Sequence, residues 1–314
     1  MINVQGLTKY YHDFCAVDHV NFNIQQGEVV GLLGPNGAGK TTTLRILTGY
    51  LKPTSGSVNI LNFNLMNNSL EIKKRLGYLP ESVPLYKTML VYDFLLYIAS
   101  IHQLDQSQIT TRLNEVVKIC GLSSVMHKSI SDLSKGFQQR VGLAHVLIHD
   151  PEILILDEPT SGLDPNQILE IRELIRTIGK TKTVILSTHI LSEAEATCDR
   201  IIIIHRGGIV ADGQPDALKN QRDKESLLNM TLENTSFAEV KTRLEKIHGI
   251  SAIEQLTCEQ GLPDSVSVQI KGQGDTDLRR SIFAAIKETD WVLLELSLQR
   301  QSLENIFKNL TQEN

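Results

Sequence analysis

The feature that most restricts this chain is the run Gly31-Leu-Leu-Gly34-Pro-Asn-Gly37-Ala-Gly39-Lys40-Thr41-Thr42-Thr43. An apolar stretch, Val29 to Leu33, precedes it and is short enough to be a buried strand. Leu44, Ile46, Leu47 and Tyr50 follow at spacings that suit one helix face. Strand, glycine-rich loop and helix thus arrive in the order of a phosphate cradle. Gly34, Gly37 and Gly39 leave room for a tight turn, so that the N–H groups of the intervening Pro35–Ala38 segment (Asn36 and Ala38 among them) converge on phosphate oxygens. Lys40 is placed to reach the β- and γ-phosphates, Thr41 to hold Mg²⁺ through its hydroxyl, and Thr42 to continue the cradle into the helix. A glycine loop that merely joins two elements is the bland alternative. The full G-x-x-x-x-G-K-T spacing between strand and helix argues against it.

A second group of polar residues falls where a parallel sheet would present it. Glu152-Ile-Leu-Ile-Leu-Asp157-Glu158 is four apolar residues running unbroken into two carboxylates, the pattern of a central parallel strand with acids at its C-terminal edge. Asp157 is expected to reach Mg²⁺ through water, and Glu158 to take a proton from an attacking water. The next helix should begin only at Asp164-Pro165. Thr183 to Ser187 reads as another buried strand, ending at Thr188-His189. A histidine there could donate to a γ-phosphate, or be structural. Upstream, Ser134 and Gly136 sit at the expected start of a helix, where free N–H groups favour an anion.

The remaining chain organises around these points. Residues 2–30 alternate as strands, with Tyr10 and Tyr11 expected between the first two, where an aromatic could stack on adenine or merely lie on the surface. Ser57 to Leu61 is one more strand. Residues 82–150 read as helical, with Thr88 and Ser107 as caps and Gly121 as a stop. Arg200 to Ala211 reads as a hairpin turning at Gly207-Gly208. The polar stretch Lys219 to Glu225 marks a boundary, giving domains 1–218 and 226–314. The second follows β-α-β-β-α-β, a ferredoxin-like α+β plan, with a last helix over Ser302 to Leu310. It carries no acid pair or glycine cradle and reads as either a regulatory module or a stabilising appendage.

Composition excludes some partners. The formal charge is −5 with no basic block, which argues against nucleic acid as the main partner. Four scattered cysteines suit a reducing compartment and no thiolate metal site. No signal peptide is read at the N-terminus. The most hydrophobic long segment, Met89 to Ile101, carries Asp93 and is shorter than the roughly 20 residues a bilayer requires, so any spanning falls to a separate chain.

Taken together, Gly34–Thr41, Ser134-Lys-Gly136, Ile153–Glu158, Ser161-Gly-Leu-Asp164 and His189 resemble the motifs of ATP-binding-cassette (ABC) ATPases, over roughly residues 1–215. Gly77-Tyr-Leu-Pro-Glu81, Leu51-Lys-Pro-Thr-Ser-Gly56 and the appended domain look most like bacterial export-type subunits of the multidrug and gliding-motility-associated branch. The resemblance implies an α/β fold: a RecA-like P-loop core with an antiparallel β subdomain and a helical subdomain at about 82–150. It implies ATP and Mg²⁺ as cofactors, ATP hydrolysis coupled to transport, and a separate polytopic permease. The subunit would be peripheral on the inner face of the cytoplasmic membrane. It further implies a head-to-tail homodimer, in which Ser134 and Gly136 of one subunit close over ATP on the other and Asp164 crosses the interface. By the same resemblance Tyr11 stacks on adenine, His189 is the switch histidine and Glu81 joins the metal and nucleotide contacts. Two positions depart from the common pattern: Lys135 replaces a glycine in the signature, and Glu81 replaces a glutamine. A related ATPase serving ribosomes or DNA is the competing reading, disfavoured by a single cassette and no heptad stretch.

Overall fold

The computed structural model describes residues 1–220, 225–256, 265–273 and 278–299, and divides into two units, Met1–Pro215 and Asp216–Asn314. The first unit opens with β1 (Ile2–Tyr11), β2 (Phe14–Ile24) and β3 (Val29–Leu33), then α1 (Lys40–Leu47), β4 (Ser55–Ile60), β5 (Phe63–Asn64), α2 (Ser69–Lys73) and β6 (Leu76–Leu79). Three helices follow, α3 (Val91–Ile101), α4 (Gln106–Cys120) and α5 (Lys135–Leu147). The unit ends with β7 (Ile153–Asp157), α6 (Pro165–Gly179), β8 (Thr183–Thr188), α7 (Leu191–Thr197), β9 (Arg200–His205) and β10 (Gly208–Gly213).

Two sheets form this unit. One is antiparallel, in the order β2-β1-β4-β5. The other runs β10-β9-β3-β8-β7-β6, with β9, β3, β8, β7 and β6 parallel. Strands β3 and β7 are buried at every position, and so is β8. That explains their continuous apolar runs, because helices cover both faces of a parallel sheet. One core joins the sheets: Ile2, Val4 and Val20 from the antiparallel sheet meet Leu32, Ile155, Ile185 and Ile202, with Leu44 and Leu47 of α1 packed among them.

The structure corrects several local expectations. Helix α1 ends at Leu47, and Tyr50 is exposed rather than on its buried face. Tyr10 and Tyr11 are the last residues of β1, not a loop. Thr88 does not cap α3; Leu90 bridges to Ser129, and the N–H groups of Val91 and Tyr92 donate to the carbonyls of Lys128 and Met126, so a loop closes that helix start. Helix α4 begins at Gln106, placing Ser107 inside it, while Gly121 ends it in the left-handed conformation as expected. The β9–β10 hairpin turns at Arg206-Gly207, both at positive φ, as two-residue hairpin loops require. Strand β6 is an addition, its Gly77 and Tyr78 paired with Leu154 and Ile155.

Beyond α8 (Pro215–Asn220), the second unit contains β11 (Glu225–Glu233), α9 (Phe237–Leu244), β12 (Ile250–Gln255), β13 (Ser265–Gln273), α10 (Arg279–Lys287) and β14 (Val292–Gln299). Its antiparallel sheet runs β12-β13-β11-β14. Leu228, Met230 and Leu232 alternate along β11 and pack with Val240 and Leu244 of α9 and Ile282 and Ile286 of α10. Both helices therefore cover one face of the sheet. The helix expected over Ser302 to Leu310 lies outside the described residues.

Candidate functional site

Parallel pairing brings the functional groups to one edge. Leu33 is in register with Thr188, Leu79 with Leu156 and Asp157 with Ser187, so the segments leaving β3, β6, β7 and β8 emerge together at the C-terminal edge of the sheet. The first is the glycine loop. Gly39 has φ 108, and a Cβ on it would lie 2.5 Å from the Ala16 carbonyl oxygen, so only glycine fits this last turn before α1.

Lys40 is buried, and its ammonium donates to the carbonyls of Gly34 at 2.7 Å and Pro35 at 3.3 Å, with Glu158 Oε1 at 3.5 Å. The Thr41 hydroxyl donates to Asp157 Oδ1 at 3.2 Å. Asp157 Oδ1 also accepts from Ser187 Oγ at 2.6 Å, and Ser187 Oγ in turn accepts from the Glu158 N–H at 2.9 Å. Glu158 has φ 46, an uncommon state for a residue with a side chain, held here by that bond. Its Oε2 meets His189 Nδ1 at 2.9 Å. Behind this group burial pushes the Tyr78 phenol above its ordinary pKa; Asp157 adds to the shift and Arg45 opposes it.

A cleft of about 480 Å³ opens over these groups, lined by Tyr11, Phe14 and Ala16 at one side, by Asn36 to Thr42, and by Glu81, Glu158, Ser161 and His189. The structure thus gathers Tyr11, Asn36, Gly37, Ala38, Gly39, Lys40, Thr41, Thr42, Glu81, Glu158 and His189 at one cavity. Gly34 and Pro35 hold the Lys40 ammonium, and Asp157 lies 2 % exposed beneath Thr41. Ser134, Gly136 and Asp164 do not line the cleft. Ser134 caps α5, accepting from the Phe137 N–H, and Asp164 caps α6, accepting from the Gln167 N–H. These two helix starts pack together, since a Cβ on Gly136 would lie 2.7 Å from Gln167 Cδ.

Sequence reasoning missed Ser187 and Phe14, and named Ser161 only within the motif Ser161-Gly-Leu-Asp164. Only the register that sets Ser187 beside Asp157 exposes its role. Phe14 pairs directly with Tyr11 across the β1–β2 hairpin, a pairing that the alternation of the two strands permits but does not fix.

A phosphate-cradle loop after one central strand and a buried aspartate ending another, on a parallel sheet, define a P-loop nucleotide-binding protein. Comparisons narrow the class. The model of the family described as "ABC transporter" matches residues 17–161. The bacitracin transport ATP-binding protein BcrA of Bacillus licheniformis is 42% identical over 226 residues, 71% of this chain and 73% of that protein. The probable multidrug ABC transporter ATP-binding protein YbhF of Escherichia coli is 39% identical over 234 residues, covering 74% of this chain. The matched stretch spans 40% of the length of YbhF. Among solved structures, a dimeric, post-hydrolysis state of the ATP-binding cassette MJ0796 bound to ADP and Pi superposes with TM-score 0.62 at 28% identity, over 68% of this chain and 98% of that one. The chain belongs to the ABC transporter family.

Proposed function

We propose that this subunit binds ATP with Mg²⁺ and hydrolyses it to power export through a separate membrane permease. The observation that carries the reading is Glu158, 13% exposed, beside the phosphate-loop Lys40 and bonded to His189 at the cleft. The donor set suits the cofactors. The Thr41 hydroxyl and the Asp157 carboxylate are hard oxygens in mutual contact next to the loop, and Mg²⁺ is ordinarily held by one or two protein oxygens plus phosphate and water. When bound, the ion neutralises charge on the phosphate oxygens.

Within that reading the cradle N–H groups and Lys40 hold the phosphates, and Tyr11 offers its ring to adenine. Glu158 accepts a proton from the attacking water, while His189, in contact with it, orients the carboxylate and faces the γ-phosphate. Glu81 reaches the same cleft after β6 and links the site to the helical segment α3–α5. Ser134 and Gly136 serve a second subunit's ATP and Asp164 crosses between subunits; the dimeric state of the similar cassette supports that arrangement. Among the described residues no helix is long and apolar enough to cross a membrane; in this reading the permease is a separate chain and the subunit works on the inner membrane face. The names of BcrA and YbhF, bacitracin transport and multidrug, support export.

The C-terminal unit we assign to the ferredoxin-like plan, supported by the strand order β12-β13-β11-β14 with two helices on one face. We also place the functional division at 1–218 and 226–314, as two parts that fold separately.

Glu158→Gln tests the central step. The variant should bind Mg-ATP like the parent and lose about 10²- to 10⁴-fold in hydrolysis rate. A variant hydrolysing at the parental rate would remove Glu158 from the role of base. Purification of the chain from membranes should bring a polytopic protein with it; ribosomes or DNA in its place would overturn the transport reading.

A further inference from the structure

We propose that Glu193 is a positioning residue for hydrolysis, a buried carboxylate on α7 that ties the segment carrying Glu158 to the segment carrying His189. The proposal rests on the hydrolytic reading above and extends it to a residue outside the cleft lining. Glu193 is 6% exposed. Its Oε2 accepts from two hydroxyls, Thr160 Oγ1 at 2.6 Å and Thr188 Oγ1 at 3.3 Å, and both threonines are buried.

The positions of the two threonines give the contact its meaning. Thr160 lies two residues after Glu158, and Thr188 immediately precedes His189. The Thr188 hydroxyl also accepts from the Ile190 N–H at 3.0 Å, so it fixes the backbone on both sides of His189. One carboxylate oxygen therefore anchors the two segments whose side chains meet at Glu158 Oε2 and His189 Nδ1. Glu158 stands in a left-handed conformation that local sequence does not favour, and such a state persists only where surrounding groups over-determine it. Ser187 supplies one of those constraints, and Glu193 acting through Thr160 supplies another.

Helix α7 is itself fixed to the strand that carries the phosphate loop. Ala194 and Cys198 pack over Gly31 of β3 so closely that a Cβ there would lie 2.9 Å from Cys198 Sγ and 3.6 Å from Ala194 Cβ. Glu193 thus sets both segments relative to β3, and through it relative to Lys40. A role in packing alone would be met by an apolar side chain of similar volume, since burying a carboxylate is unfavourable unless it is hydrogen-bonded.

The test uses the full chain and conservative pairs. Thr160→Val removes the donor while keeping the shape, Thr160→Ser keeps the donor, and Glu193→Leu removes the acceptor at similar volume. For Thr160→Val and Glu193→Leu, kcat should fall about 10- to 100-fold, the loss expected when a reacting group is displaced by about an ångström. The dissociation constant for Mg-ATP should stay within about 2-fold, and Thr160→Ser should recover most of the rate. Should Glu193→Leu fail to fold, the threonine pair carries the comparison. Thr160→Val at the parental rate, or Thr160→Ser as slow as Thr160→Val, would overturn the proposal. So would losses of ATP affinity and melting temperature in step with kcat. A parent chain that binds no ATP and releases no phosphate would overturn the functional reading beneath it, an outcome distinct from an active parent with indifferent variants.

Discussion

Ser187→Ala removes one hydroxyl from the join between β7 and β8, and two bonds go with it. Ser187 Oγ donates to the Asp157 carboxylate at 2.6 Å and accepts from the Glu158 N–H at 2.9 Å. The donor bond is charge-assisted, about 1.5–3 kcal/mol, and an N–H left without its acceptor costs about 1–3 kcal/mol. Ser187 is fully buried and Asp157 is 2% exposed, so water does not simply take the place of the hydroxyl. Because the two terms share one atom they do not add in full, and we expect a loss of about 3 kcal/mol. For a unit of this size that lowers the melting temperature by roughly 6–12 °C. The same change frees the Glu158 backbone from its left-handed conformation, so kcat should fall while ATP affinity, set by Lys40 and the loop, stays close to the parent. Calorimetry with and without Mg-ATP, together with phosphate release, measures both effects. The exposed hydroxyl of Thr177, which donates to the Glu173 carbonyl, is the control, and Thr177→Ala should stay within about 0.5 kcal/mol. A Ser187→Ala protein with the parental melting temperature and kcat would refute the reasoning.

Three further outcomes are expected. Burial, with a contribution from His102, holds His145 and His149 down at about 4 against an ordinary 6.5. Their stabilising neutral forms are complete above pH 6.5 and are lost as the pH falls toward 4; urea unfolding at pH 5 should show about 2–4 kcal/mol less stability than at pH 7.5, and a flat profile would contradict this. A fragment ending at Asn220 should bind ATP with the affinity of the whole chain, and residues 226–314 alone should melt cooperatively without binding nucleotide; loss of ATP binding by the first would reject the division. Glu81→Ala should reduce permease-stimulated hydrolysis far more than basal hydrolysis, and equal loss in both would place Glu81 in the chemistry rather than in the link to the helical segment.

The phosphate loop, the buried strands β3, β7 and β8, and the acids ending β7 were legible because each depends on residues close together in sequence. A loop that must turn tightly needs its glycines at fixed intervals, and a strand covered on both faces needs an unbroken apolar run. That Ser134 and Asp164 stand at helix starts was legible for the same reason, and the structure makes each a cap that bonds an N–H only three residues away. The starts of α3 and α4 were not. Val91 and Tyr92 find their acceptors in Lys128 and Met126, residues that no local pattern links to them. Nor could the sequence show that Ser187 stands beside Asp157, or that Glu193 receives Thr160 and Thr188, because these contacts exist only once β7, β8 and α7 are packed in register. The sequence by itself determined which groups reach the sheet edge, through short-range backbone geometry and burial. Only the tertiary structure decided which of them touch, because contact between segments about 30 residues apart is set by strand register and helix packing.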